Sequence, residues 1–208
     1  MLHRRIFLNI AAGAWLTRAC LVGRAAHADQ GADRAEAFVK TTGEKLVGVV
    51  NGPGGPQQKQ RALTEIIDAT VDVDGVAQFC LGRFWRQATP EQQHRYLETF
   101  HHVLVSNITS KLGEYQGVRF TVNRTIPGGD TVKVDTTVVR PNNPATNVQW
   151  VIGESSSAPK IIDVIAEGTS LRLTQRSDYA AYLSHNNNSI DALIGAMRQQ
   201  VEQNQAKG

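Results

Sequence analysis

Cysteine is nearly missing from this chain: there are only two, Cys20 and Cys80, in 208 residues. Cys20 falls in a leader-like N-terminal segment, so Cys80 stands alone in the rest of the chain, and no intrachain disulfide can form there. Aromatic residues are also sparse, at 6 %. No apolar run reaches the roughly 20 residues needed to cross a bilayer as a helix. The sequence has no phosphate-binding glycine loop, dinucleotide fingerprint, HExxH helix or serine elbow. "GESSS" at 153–157 lacks the final glycine of such an elbow. These absences exclude a disulfide scaffold and a helical membrane protein, and they remove the enzyme classes that announce themselves by motif. The fold has to be held by its apolar core, and about 180 residues is ample for one.

The first 28 residues read as an address. Met1 to Arg5 is basic, Ile6 to Leu16 is apolar, and Ala26-His27-Ala28 is an A-x-A site that places cleavage after Ala28. "HRRIFL" sets twin arginines before Ile6-Phe7-Leu8, which resembles a twin-arginine export signal; an ordinary secretory leader with two arginines fits as well. "LTRAC" is a poor lipobox, because Arg18 stands where a small residue is wanted. Residues 29–208 then form a single domain carrying 18 Lys and Arg against 19 Asp and Glu, a net charge of −1. The basic character of the whole chain belongs to the leader, and a nucleic-acid partner loses its electrostatic support.

Hydrophobic periodicity divides the domain. Residues 31–51 have helical spacing through Ala35, Phe38, Val39, Leu46, Val47 and Val50, and "NGPGGP" ends that helix. A second helix carries Leu63, Ile66 and Ile67, and 71–85 reads as a short helix with a turn at Gly82. The strongest helix spans 90–113, with Thr89 as N-cap and Pro90 at the first helical position. Its stripe is Tyr96, Leu97, Phe100, Val103, Leu104, Ile108 and Leu112. The period then drops to two in 118–124, 131–139, 147–153 and 160–168, separated by turn chemistry. Helical spacing returns through Leu171, Leu173, Tyr179, Tyr182 and Leu183, and a last helix comes after Ser189. The order predicts an α+β domain, with helices packed on a curved four-stranded antiparallel sheet.

Two clusters of chemistry-bearing residues stand out. His94, Glu98 and His102 are spaced i, i+4, i+8 and would share one helix face, the start of a metal site. The same spacing describes a solvated face opposite Phe100 and Val103. Glu167, Gly168, Thr169, Ser170 and Arg176 crowd the junction between the last strand and the next helix. That junction reads as a structural joint: Gly168 permits the turn, Ser170 caps the helix, Glu167 satisfies backbone donors, and Arg176 pairs with a carboxylate.

"FCLGRFWRQATPEQQHRYLETFHHVL" (79–104) resembles a segment of the MlaC-like, toluene-tolerance family, and "KIIDVIAEGTSLRLTQRSDYAAYL" (160–183) is similar to that family's W-K-(V/I)-x-D-x-x-x-E-G-(V/I)-S-(L/M) joint. Pro159 and Thr169 depart from the pattern, which has Trp and Val or Ile at those positions. "LGRFWRQATPEQQ" also looks like the hopanoid-associated HpnM branch. The resemblance implies a soluble, monomeric periplasmic carrier of phospholipid or hopanoid, not an enzyme, needing no cofactor and no metal. Its implied partners are an inner-membrane ABC transporter with an MCE-domain subunit and an outer-membrane lipoprotein complex. The rival expectation is a periplasmic hydrolase or metal-dependent enzyme using His94, Glu98 and His102.

For a carrier, the apolar stripes facing the gap between sheet and helices are the expected lining. On the helices these are Val47, Phe79, Leu81, Phe84, Tyr96, Phe100, Val103 and Leu104. From the strand region they are Val118, Phe120, Val132, Val134, Trp150, Ile152, Ile162 and Val164.

Overall fold

The computed structural model describes residues 22–155 and 158–206; the twin arginines and the apolar run of the leader lie outside the described residues. Helix α1 (Val22–Asn51) is continuous through Ala28 and longer than the 31–51 helix its periodicity predicts. α2 (Pro56–Thr70) starts with its proline in the first turn, behind the glycine-rich break, where Gly54 takes φ +120°. α3 (Val73–Leu81) is capped by the Asp72 carboxylate, which accepts from the Gly75 N–H at 3.1 Å. A 3₁₀ turn over Gly82–Arg86 follows it. α4 (Pro90–Thr109) begins with a reciprocal capping box: the Gln92 N–H donates to Thr89 Oγ1 at 3.2 Å, and the Thr89 N–H donates to Gln92 Oε1 at 3.1 Å. α5 (Leu171–His185) and α6 (Ile190–Gln205) are capped by Ser170 and Ser189.

Strands β1 (Arg119–Gly128), β2 (Thr131–Val139), β3 (Thr146–Ser155) and β4 (Ala158–Ala166) form the expected antiparallel meander. A fifth strand, β5 (Thr169–Ser170), corrects the expected count of four. It arises because Glu167 (φ 48°) and Gly168 (φ 80°) both take left-handed backbone, which closes a two-residue hairpin on the pair Ala166 and Thr169. The free edge of β4 is covered at its other end, where Val71 bridges to Ile161 and the Asp72 N–H donates to the Ile161 carbonyl at 3.0 Å.

Two bulges break the simple alternation. Between Val122 and Arg124 the register with β2 shifts, so Asn123 is the extra residue. In β4, Ile161 pairs with Ile152 and Asp163 with Val151, which leaves Ile162 over. Strict alternation puts Ile162 and Val164 on one face. The bulge instead brings Ile161 and Val164 together and turns Ile162 toward the opposite face, where its side chain lies over Gly153.

Two apolar clusters organise the described interior. On the sheet side, Ala35, Phe38 and Val39 of α1 pack on Phe120, Val122, Val132, Val134, Trp150, Ile152, Ile161 and Val164. Gly43 lets α1 come close: any Cβ there would lie inside van der Waals contact with the Phe120 ring. The helical cluster is built from α3 to α6 around Tyr96, Leu183, Leu193, Ile194 and Met197. On the other face of the sheet, Arg124, Asp135 and Gln149 form a polar chain across β1 to β3, with Asp135 accepting from Arg124 Nε at 2.7 Å and Gln149 Nε2 at 2.6 Å. These bonds hold the Asp135 carboxyl below the usual carboxylate range even though its partial burial pushes the other way.

Candidate functional site

The structure divides the expected lining between these two clusters. Phe120, Val132, Val134, Trp150, Ile152 and Val164 share the sheet-side cluster. Phe79, Leu81, Phe84, Tyr96, Phe100 and Val103 share the helical one. Val47 and Leu104 are half-buried, and Val118 is buried just before β1, where its carbonyl accepts from Asn51. Ile162 leaves the set because of the bulge. On α4, Val105 and Ser106 are buried, whereas Ile108 is 39 % exposed. The α1 contribution from Ala35, Phe38 and Val39 is readable as a stripe, but spacing alone does not say which sheet face it covers.

The sheet-side cluster is apolar, with one polar thread. Trp150 Nε1 donates to Thr136 Oγ1 at 2.9 Å, and that hydroxyl donates to the Val148 carbonyl at 2.8 Å. Phe120 meets Trp150 edge-on, with ring centroids 6.4 Å apart. Every polar atom named here has a partner, so this face presents hydrocarbon and aromatic edge to anything lying against it.

A buried joint connects the sheet to the helical cluster. Asp163, 7 % exposed, accepts from its neighbour's N–H (Val164, 2.8 Å), from the Ser170 hydroxyl (2.6 Å) and from the Arg172 N–H (3.1 Å). Arg172 Nε lies 3.5 Å from Asp163 Oδ2. The Ser170 Oγ also accepts the Leu173 N–H at 3.2 Å, as a helix cap should. Glu167 accepts the Asn147 N–H at 2.7 Å, which fulfils its expected role. Arg176 differs from expectation: its guanidinium stacks on the Phe79 ring at 4.9 Å, and Arg172 takes the carboxylate while also stacking on Phe79, at 4.5 Å. Asp163 is the residue sequence reasoning passed over, although a lone carboxylate in an otherwise apolar strand was its signal.

Cys80, 1 % exposed, lies against this joint, its Sγ 3.6 Å from the Arg172 carbonyl. Burial pushes its thiol up to about 12, opposed by the nearby Arg172 charge. Since a thiolate is the reactive form, native Cys80 should alkylate at least about a hundredfold more slowly at pH 8 than in the unfolded chain. Labelling with iodoacetamide, with and without urea, followed by intact mass checks this; rapid native labelling would contradict the burial. The folded thiol keeps its proton above its ordinary range. Its contribution to stability is therefore complete below about pH 9 and declines as pH rises from there toward 12.

The histidine helix face does not assemble. His94 pairs with Glu98 at 3.2 Å, with side chains 74 % and 58 % exposed. His101 turns to Asp68 on α2 at 2.6 Å, and His102 is exposed. Among the described residues, no three His, Cys, Asp or Glu side chains converge in a way that could hold a metal ion. An open groove of about 620 Å³ beside α2 is lined by Gln57, Gln60, Arg61, Thr64 and Glu65, too polar for a hydrocarbon ligand. Among the described residues no helix is long and apolar enough to cross a membrane.

Fold and site together define an α+β domain whose apolar sheet face is closed by a long helix and tied to a helical cluster through a buried carboxylate joint. The family model of MlaC protein matches residues 41–199, and the chain belongs to that family. The toluene tolerance protein ttg2D of Pseudomonas putida is 28 % identical over 135 residues, a match covering 64 % of this chain and 63 % of that relative. The chain thus aligns with somewhat less than two thirds of that relative's length. A solved structure of the phospholipid-binding protein from Ralstonia solanacearum, in complex with a phospholipid, has the same fold. It superposes with a TM-score of 0.72 at 23 % identity, covering 82 % of this chain and 98 % of that one.

Proposed function

We propose that this protein is a periplasmic lipid carrier that holds phospholipid acyl chains against the α1-facing side of its sheet. The observation that carries the reading is that face itself: apolar side chains of four strands and one helix, its few polar groups internally satisfied, in a chain of the MlaC family. The Ralstonia solanacearum relative, a phospholipid-binding protein with this fold, supports the same ligand class. Burying a methylene is worth about 0.8 kcal/mol, so two acyl chains represent on the order of 20 kcal/mol. A lipid therefore crosses water only inside a carrier nearly as apolar as the bilayer it left. Acyl chains enter by parting α1 from the sheet, a movement that replaces protein–protein apolar contact with protein–lipid contact at little net cost.

In this reading residues 1–28 are a cleaved export leader and residues 29–208 the working domain. The lipid is a phospholipid or, if the chain belongs to the HpnM branch, a hopanoid. The transport partners are an inner-membrane ABC transporter with an MCE-domain subunit and an outer-membrane lipoprotein complex. The test is native mass spectrometry of protein purified from a bacterial periplasm, followed by organic extraction. A stoichiometric phospholipid is the expected result. Stoichiometric hopanoid would keep the carrier and change its cargo. A protein that stays empty after incubation with lipid vesicles would overturn the proposal.

A further inference from the structure

Among the described residues, four large apolar side chains are exposed: Ile108 at 39 %, Tyr115 at 37 %, Leu171 at 52 % and Leu173 at 56 %. The two most exposed stand one residue apart in the first turn of α5. On a helix such positions lie about 200° apart, so the leucines flank the helix tip rather than share its side. Between them Arg172 turns inward to Phe79 and Asp163. Arg176, one turn on, is exposed and stacks on the same ring. A Cβ at Gly82 would lie 3.2 Å from the Arg176 guanidinium, so the 3₁₀ turn carrying exposed Arg83 adjoins this tip. Among the described residues no carboxylate forms an ion pair with Arg83 or Arg176, and Asp163 is buried under its own hydrogen bonds.

We propose that the tip of α5 docks the carrier on an anionic phospholipid surface, with Leu171 and Leu173 dipping among the headgroups and Arg176 and Arg83 meeting the phosphates. The inference rests on the carrier reading, which requires an encounter with a membrane or its lipids. Exposed leucines beside two arginines that stack on rings (Arg176 on Phe79, Arg83 on Phe84) and have no carboxylate partner among the described residues are what an interfacial contact needs: apolar tips for the acyl boundary and cations for its charge. A second copy of the chain is a poor occupant, because a two-fold contact would set arginine against arginine. The joint supplies rigidity, since both leucines sit on a helix start fixed by Ser170 and Asp163.

The experiment is sedimentation of the purified protein with vesicles of phosphatidylglycerol and phosphatidylcholine in equal parts, and with phosphatidylcholine alone. Wild-type protein should sediment with the anionic vesicles, less so as salt rises. Arg83→Gln and Arg176→Gln should each lower partitioning about fivefold. The double change Leu171→Ser with Leu173→Ser should lower it at every salt concentration. Urea midpoints identify any variant that has lost its fold; with one such variant discarded, the remaining ones still decide. Equal binding by wild type and variants, or no sedimentation with either vesicle, would overturn the docking surface. Extraction of bound lipid from the same preparations separates the two failures. Lipid present without vesicle binding defeats the docking surface alone, whereas vesicle binding by a protein that never holds lipid defeats the carrier reading.

Discussion

Asp163→Ala is expected to destabilise the domain by about 3–5 kcal/mol, the range for stranding one partner of a buried ion pair. The carboxylate accepts two backbone N–H groups and the Ser170 hydroxyl, and Arg172 stands 3.5 Å away with its side chain only 27 % exposed. Alanine removes every acceptor at once and leaves a partly buried guanidinium without its counter-charge. Arg172 Nε has no hydrogen-bond partner even now, so the arginine depends on Asp163 through charge more than through a formed bond. In a domain of this size the loss corresponds to a drop in Tm of roughly 10 °C. Ser170→Ala removes only the cap and its bond to the carboxylate, and should cost about 1 kcal/mol. Combining Asp163→Ala with Arg172→Met should recover part of the loss, because the orphaned charge goes as well. Urea unfolding of wild type, Ser170→Ala, Asp163→Ala, Arg172→Met and the double variant measures this. A loss below about 1 kcal/mol in Asp163→Ala, or strict additivity of Asp163→Ala and Arg172→Met in the double variant, would show that the joint is not held by this carboxylate.

The local rules were legible where one short-range interaction decides the outcome. Thr89 with Gln92, Ser170 with Leu173 and Ser189 with Ala192 each announce a helix start, and each forms the bond its sequence announces. β2 keeps the bounds its alternation predicts, Thr131–Val139. What sequence could not carry is phase. Alternation in β4 gives two faces, but the extra residue at Ile162 swaps their membership, and nothing in "KIIDVIAEG" marks a bulge without its partner strand. The same holds for Leu171 and Leu173, which count as stripe positions by spacing. The hairpin at Glu167-Gly168 and the Ser170 cap set the rotation of α5, and that rotation leaves both leucines in solvent.

The candidate site was legible as a collection of residues rather than as a place. Spacing identifies apolar positions on Phe79, Tyr96, Val134 and Trp150 alike, and it cannot say that the first two belong to a helical core and the last two to a sheet face. That distinction is long-range: it depends on α1 lying across the sheet, which Gly43 permits by leaving room for Phe120. Its charge is what sets Arg176 beside a carboxylate in the sequence reading. Arg172 is closer in sequence to the helix cap that fixes the joint, and it takes that partner.

Val132→Glu is expected to leave a folded protein that retains less than about a tenth of the wild-type bound lipid. Val132 is half-buried, belongs to the sheet-side cluster and pairs across the strands with Ile152 and Pro127. In the empty protein a glutamate there can reach water, so its cost to stability stays within about 0.5–3 kcal/mol, the common span of a point substitution. An acyl chain laid along the same face would seal the carboxylate from water, and an unpaired buried charge costs several kcal/mol. Even about 1.4 kcal/mol of that penalty is a tenfold loss of affinity. Thr121→Glu is the matched control, because Thr121 is exposed and lies on the opposite face from Val122. It adds the same charge without meeting the ligand and should keep its lipid. Circular dichroism and a urea midpoint establish the fold of both variants, and extraction counts the lipid. Full lipid occupancy in folded Val132→Glu would move the acyl chains off this face and toward the helical cluster. Loss in both variants alike would show that net charge, rather than the face, governs retention.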